Sequence, residues 1–422
     1  MNAVSCASPN IVWIVTTQWR GQACGFAGDA NARTPYLDVF AAKGVTLTQG
    51  VTPHPFGPFA RAALLTGKPS PQNGLRDYFD PLPVDARTVA HDLRERGYAT
   101  AFFGKWHLAK RDPQVPLVGE AHARMWVPPE ARGGFQVWEG FEGGFQLNEP
   151  WLHGTTLPEP VQFAGYQSDV LCERAAAWLR DQPAPWFCII SLESPHPPYA
   201  AASGTVIPRH PEEIKLRPNV PLGGAVEQRA RRELAGYYAH IEATDQAIGR
   251  HLLTNPDLRS AGMVVTSVHG DMHGAHGLFR KGWPQEESVR VPLVMRPPPA
   301  DHSMRAAGQH HALVSLLDLA QGAIRWAENR PMFSDRGAEG TYQRISMPSI
   351  VGLPDQCDRI WRGVRTRTRK LVLNDDGSPW LLFDLERDPG EMENRVGDSA
   401  YAGELRRLQD WIEPTGSSPA NG

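Results

Sequence analysis

Residues 55–67, running from Pro55 to Gly67, read PFGPFARAALLTG. A Gly-Pro pair followed by an arginine and small apolar residues is how a helix start that holds an anion is built. The first N–H groups of a helix lack intrahelical partners, and the positive end of its dipole favours negative charge. Pro58 suits a first helical position, Arg61 places a planar cationic fork on the first turn, and Ala62 to Leu65 can bury behind it. The same residues also read as a plain turn entering a core helix, so the flanking sequence has to arbitrate.

Upstream, Asn10-IVWIV-Thr16 is a continuous β-branched apolar run, the pattern of a parallel strand buried on both faces. Ligands in open α/β sheets gather outside the carboxyl ends of such strands, which puts Thr16 to Arg20 at a site. Thr34-Pro35 followed by YLDVFAAKG predicts a helix with Thr34 as N-cap and Gly44 past its end. Downstream, a helix capped by Thr88 closes at Gly97, and a strand over Ala99 to Phe103 runs into Gly104-Lys105-Trp106-His107-Leu108.

Residues 111–160, rich in Gly, Pro and Trp, predict an irregular excursion over the site. A helix from about Asp169 to Arg180 and a strand from Trp186 lead to Pro195-His196-Pro197-Pro198, where the prolines stiffen a loop that aims an imidazole. Leu234, Tyr238, Ile241, Ile248 and Leu252 form a helical core stripe within 228–253, and Met263 to Ser267 is the next strand. From about Pro331 the pattern changes. Residues 361–394 read as two strands joined by an Asp-Asp-Gly turn, Ala402 to Trp411 as a packing helix, and 413–422 as a fraying tail.

The chain has 422 residues, 41% hydrophobic and 21% charged, enough for one large and one small domain. A net charge of -3 offers no basic field for nucleic acid, and no segment approaches the ~20 apolar residues of a membrane span. Five cysteines (Cys6, Cys24, Cys172, Cys188, Cys357), odd in number and without CxxC spacing, argue against a disulfide framework or a structural zinc. The opening MNAVSCASPN has neither basic leader nor apolar core, so the expected place is the cytoplasm.

The 55–67 stretch resembles the sulfatase signature, a Cys or Ser, one residue, Pro, Ser, Arg and a small-apolar run ending in Leu-Thr-Gly. Aligned on Arg61 and Leu64-Leu65-Thr66-Gly67, the nucleophile position falls on Gly57, and the family's Pro and Ser on Phe59 and Ala60. Thr17-Gln18-Trp19-Arg20 resembles the family's Asp-Gln-Trp-Arg with Thr17 for the metal-binding Asp. Gly104 to Leu108 is the family's Gly-Lys-Trp-His-Leu, whose Lys and His contact the sulfate ester. His196 stands in the place of the family's substrate histidine. Ser267-Val268-His269-Gly270-Asp271, then Lys281-Gly282, resembles the second metal arm with Val268 for the ligand Asp. The likeness covers roughly residues 8–400.

The resemblance implies an alkaline-phosphatase-like α/β sandwich over 8–330 and a small C-terminal antiparallel sheet domain over 331–422. It also implies sulfuric ester hydrolysis by a formylglycine nucleophile with calcium or magnesium. Thr17 and Val268 remove two of the carboxylates that such hard cations need, so no metal cofactor is expected. The weaker metal candidates are Gln18, His269, Asp271, His273 and His276. Arg61, Lys105, His107, His196, His269 and Lys281 are the expected anion-binding set, with Lys105, His107, His196 and Lys281 as catalytic candidates. The reading is a sulfatase-like protein that keeps a pocket for a small sulfate or phosphate ester without ordinary hydrolysis. Two alternatives stay open: a repurposed metal-independent hydrolase, lyase or transferase, and a non-catalytic partner of an active paralogue. Thr16, Thr17 and His54 are expected near the site, where Thr17 with a neighbouring histidine such as His54 would make a replacement nucleophile-base pair, and a homo-oligomer is left open.

Overall fold

A computed structural model describes residues 8–302, 307–333 and 342–412. The N-terminal leader reading, Cys6 and the tail 413–422 lie outside the described residues. The strands are β1 Ile11–Thr16, β2 Val45–Val51, β3 Ala99–Lys105, β4 Val137–Phe141, β5 Trp151–Gly154, β6 Val161–Gln162, β7 Trp186–Ser191, β8 Gly262–Ser267, β9 Leu293–Arg296, β10 Gly308–Ser315, β11 Tyr342–Met347, β12 Trp361–Thr366, β13 Arg369–Asn374 and β14 Pro379–Asp384. The principal helices are α1 Pro35–Lys43, α2 Gly57–Thr66, α3 Val89–Arg94, α4 Glu120–Ala123, α5 Gln167–Asp181, α6 Ala225–Ile248, α7 Glu286–Val289, α8 Asp318–Ala327 and α9 Ala402–Ile412.

Ten strands form one mixed sheet in the order β10-β2-β9-β8-β1-β7-β3-β4-β5-β6. β1 lies at its heart, parallel to β7 and β8, and every one of its side chains is buried, as its unbroken apolar run requires. Trp13 and Val15 face one layer with α2, α3 and α8, while Val12 and Ile14 face the other with α1, α5 and α6. The stripe Leu234, Tyr238, Ile241, Ile248 and Leu252 packs in that second layer. The architecture is the helix-flanked mixed sheet with a small C-terminal antiparallel sheet that the resemblance implies.

Two elements differ from the sequence reading. The excursion at 111–160 holds β4 and β5, which extend the large sheet: β4 runs parallel to β3, and β5 runs antiparallel to β4. Their glycines are why they read as coil, yet Gly140 and Gly154 sit where a Cβ would strike the neighbouring strand. The C-terminal sheet has four strands, β11-β12-β13-β14, because the chain already reverses between Thr366 and Arg369, before the Asp-Asp-Gly turn. One face, with Ile345, Met347, Trp361 and Val372, joins the core of the large sheet, and the other, with Val364, Leu371, Leu373 and Leu382, packs under α9. The four described cysteines are free and buried. No described helix is long and apolar enough to cross a membrane.

Candidate functional site

The site lies where β1, β3, β7 and β8 end and α2 begins. α2 starts at Gly57 with Pro58 in its first turn, and Gly67 at φ 66° closes it in the left-handed conformation. From the first turn Arg61 reaches across the strand ends. Its Nη1 donates to Lys105 O at 3.0 Å and Ser191 Oγ at 2.5 Å, and its Nη2 to Thr17 Oγ1 at 2.7 Å. Both ends of the fork are thus held by the scaffold, and the Nε is buried without a partner. Lys105, the last residue of β3, pairs with Glu193 at 2.7 Å and lies 4.9 Å from the Phe145 ring centroid.

His107 follows with a left-handed φ of 58° that turns its ring toward α2. A Cβ on residue 57 would lie 2.8 Å from His107 Nδ1, an atom that is itself buried without a partner. His196 stacks on Phe145 at 4.5 Å, and its Nδ1 faces Pro197 O at 2.9 Å. Lys281 Nζ donates to His196 Nε2 at 2.9 Å, which leaves the ring proton on Nδ1, and to Gln18 Oε1 at 2.6 Å. The amide end of Gln18 donates to Asp271, which also accepts from the Tyr199 hydroxyl at 2.6 Å and the His273 backbone at 3.1 Å. His269 Nδ1 faces Gly270 O at 2.8 Å, and its Nε2 is buried without a partner. Val268 belongs to the apolar core.

Burial sets the protonation states. It holds His107, His196 and His269 well below the ordinary histidine range, with Arg111 beside the first and Lys281 beside the other two adding to the effect. All three are neutral at pH 7. Burial likewise lowers Lys105 and, more strongly, Lys281, and brings Arg61 down to about 10. Burial works to raise the Asp271 carboxyl, yet His273, Arg280 and Tyr199 hold it below the usual range. Four buried basic side chains, Arg61, Lys105, Arg111 and Lys281, share the region with three buried acidic ones, Glu142, Glu193 and Asp271.

Residues 9–329 match the family model Sulfatase. The chain belongs to the sulfatase family. An ulvan-active sulfatase of Formosa agariphila is 32% identical over 93% of this chain and 78% of its own. An N-acetylglucosamine-6-O-sulfatase of Bacteroides thetaiotaomicron is 23% identical over 98% and 89%. A solved structure of a protein in complex with its substrate, D-glucosamine-2-N,6-O-disulfate, superposes with a TM-score of 0.77 at 21% identity, covering 96% of this chain and 97% of that one.

The sulfatase-family positions named from sequence separate into three groups. Arg61, Lys105, His107, His196, His269 and Lys281 come together around the start of α2, joined by Thr17, Gly57 and Gln18. Asp271 and His273 lie behind Gln18, with the His273 ring between Tyr199 and Tyr237. His276 is elsewhere, against Asn219 at 3.2 Å, so the His269–His276 run does not act as one constellation. Thr17 and His54 form no nucleophile-base pair. Thr17 Oγ1 donates to Leu192 O at 3.0 Å, while His54 Nε2 accepts the Ser70 N–H at 2.9 Å and its Nδ1 faces Ser346.

Residues not anticipated also line this region. Glu193 answers Lys105, and Phe145 covers both Lys105 and His196. Arg111 lies 4.4 Å from the Tyr78 ring centroid, with Nε 3.5 Å from Glu142. Glu142 accepts the N–H groups of Leu108 and Ala109 at 3.1 Å each, and burial pushes its carboxyl up to about 7. Glu193 had a signal in the sequence, since it directly follows a buried strand.

Proposed function

We propose that this sulfatase-family chain binds a small sulfate or phosphate ester at the buried cluster of basic side chains where α2 begins and does not hydrolyse it by the family's formylglycine and metal route. The observation that supports the reading is the Arg61 Nε–H, a buried donor left without a partner, with the Lys105 and Lys281 side chains and the unpartnered His107 Nδ1 in its electrostatic neighbourhood. An unsatisfied buried donor costs about 1–3 kcal/mol, and an oxyanion supplies the acceptor it lacks.

The donors present do not fit a hard divalent cation. Calcium and magnesium take several oxygens, mainly carboxylate. Thr17 Oγ1 is engaged with Arg61 and Leu192, the Gln18 oxygen with Lys281, Asp271 with three donors, and Val268 offers none. Gly57 supplies no attacking atom, and its own Cβ space is taken by the His107 ring. Direct attack on sulfur or phosphorus without a nucleophile leaves only residual rates.

The test is calorimetry and thermal melting of the full chain with sodium sulfate, 4-nitrophenyl sulfate and 4-nitrophenyl phosphate, each with and without EDTA and calcium. The expected result is a rise in melting temperature with the esters, unchanged by EDTA, and no release of nitrophenol. Calcium-dependent release of nitrophenol would overturn it. A second reading rests on the 2.9 Å bond between Lys281 and the neutral His196, which pairs a donor with a base. Turnover that survives EDTA and disappears in His196→Gln would favour that metal-independent enzyme.

A further inference from the structure

Away from the anion pocket, His276, Glu287 and Glu391 bring three ligating atoms within 4.8 Å of one another. They come from distant stretches: the loop after β8, helix α7, and the segment after β14. Glu287 is 2% exposed and Glu391 3%. A fourth segment adds Asn219, whose Nδ2 faces His276 Nε2 at 3.2 Å, Glu287 Oε1 at 3.0 Å and Gly390 O at 3.3 Å. An amide nitrogen carries two hydrogens, so three acceptors oversubscribe it. The Asn219 oxygen, meanwhile, is buried with no partner in a side chain only 4% exposed.

Amide oxygen and nitrogen are interchangeable in shape, and their assignment follows the surrounding bonds. Exchanging them at Asn219 turns its oxygen toward His276, Glu287 and the Gly390 carbonyl, a gathering of lone pairs that a bound cation satisfies. We propose that His276, Glu287, Glu391 and the Asn219 oxygen form a site for a divalent transition-metal ion of the zinc type. An imidazole with two carboxylates suits that class better than calcium or magnesium, and bonds of about 2.0–2.2 Å need only small side-chain movements to close.

Neighbouring groups leave the ligands usable. Lys370 Nζ donates to one Glu391 oxygen at 2.7 Å and the Glu286 N–H to the other at 2.7 Å, and each oxygen keeps a second lone pair. Arg217 lies 3.3 Å from Glu287. These cations weaken the site below that of a dedicated zinc domain. The ion would fasten the loop that carries Lys281 to the small C-terminal sheet, independently of what the anion pocket binds.

The experiment uses the full chain dialysed against EDTA and then exposed to zinc chloride, with bound metal counted by mass spectrometry and stability followed by melting temperature. One zinc per chain and a rise of several degrees are expected, both lost in His276→Ala. Asn219→Asp replaces the amide by a carboxylate and should tighten zinc about tenfold. In a purely hydrogen-bonded junction the same change only crowds negative charge, so a lower melting temperature with no gain in zinc affinity would overturn the proposal. Absence of zinc uptake would also overturn it, as would uptake that survives His276→Ala and vanishes in His273→Ala.

Discussion

At Gly57 the difference between this chain and its family's signature comes down to one methyl-sized volume. Restoring a hydroxyl with Gly57→Ser places a Cβ 2.8 Å from His107 Nδ1, so the ring has to leave its present position. The expected result is no gain of ester hydrolysis and a loss of about 1–3 kcal/mol of stability, read by urea unfolding. The neutral histidines predict a pH effect of definite sign. Below the ordinary histidine pKa of about 6.5 the unfolded chain takes up protons that the folded imidazoles refuse, so stability falls as pH drops through that value. Each such histidine contributes up to about 1.4 kcal/mol per pH unit. Glu142, raised to about 7, titrates with the opposite sign, so the measurement is the difference between wild type and His196→Gln from pH 7.5 to 5. The variant should show the shallower loss. Gly104 to Leu108 and Pro195-His196 were legible because whole motifs survive; Arg111, Glu142 and Phe145 were not, because nothing local to each announces that folding brings it to His107 or Lys105.

Among the elements, α2 carries Gly57 and Arg61 on a first turn fixed by Pro58 and a last turn closed by Gly67. Gly67→Ala has to hold a Cβ at φ 66°, and should cost about 1 kcal/mol, visible as a lower melting temperature with the affinity for sulfate unchanged. The strands with strong apolar runs, β1, β3, β7 and β8, were readable because each is buried on both faces and carries the pattern in full. β4 and β5 were not. Their glycines serve close strand contacts, a requirement that exists only once the neighbouring strand is in place.

Across the whole molecule the small sheet is part of the site's foundation. Trp361 on β12 is buried, and its Nε1 donates to Gly282 O at 2.8 Å; the Cys357 N–H donates to Lys281 O at 3.1 Å, and the Gly282 N–H to Pro55 O at 2.9 Å. Trp361→Ala should cost about 3–5 kcal/mol of stability. It should also weaken sulfate binding, measured by calorimetry below the variant's melting range, because the backbone under Lys281 loses one of its ties. Trp361→Phe, which keeps most of the volume but not the N–H, separates the two effects: stability largely returns and affinity does not.

The ties on Lys281 and Gly282 also order events during synthesis. Lys281 leaves the ribosome some 76 residues before Cys357 and 79 separate Gly282 from Trp361, so a nascent chain arrested in front of β12 carries every basic residue of the proposed site but not the strand that seats the last of them. Such a chain should retain no sulfate, and the ability to do so should arrive abruptly as the final strands emerge. The seating of Lys281 is therefore a property that the polypeptide acquires at the end of its translation.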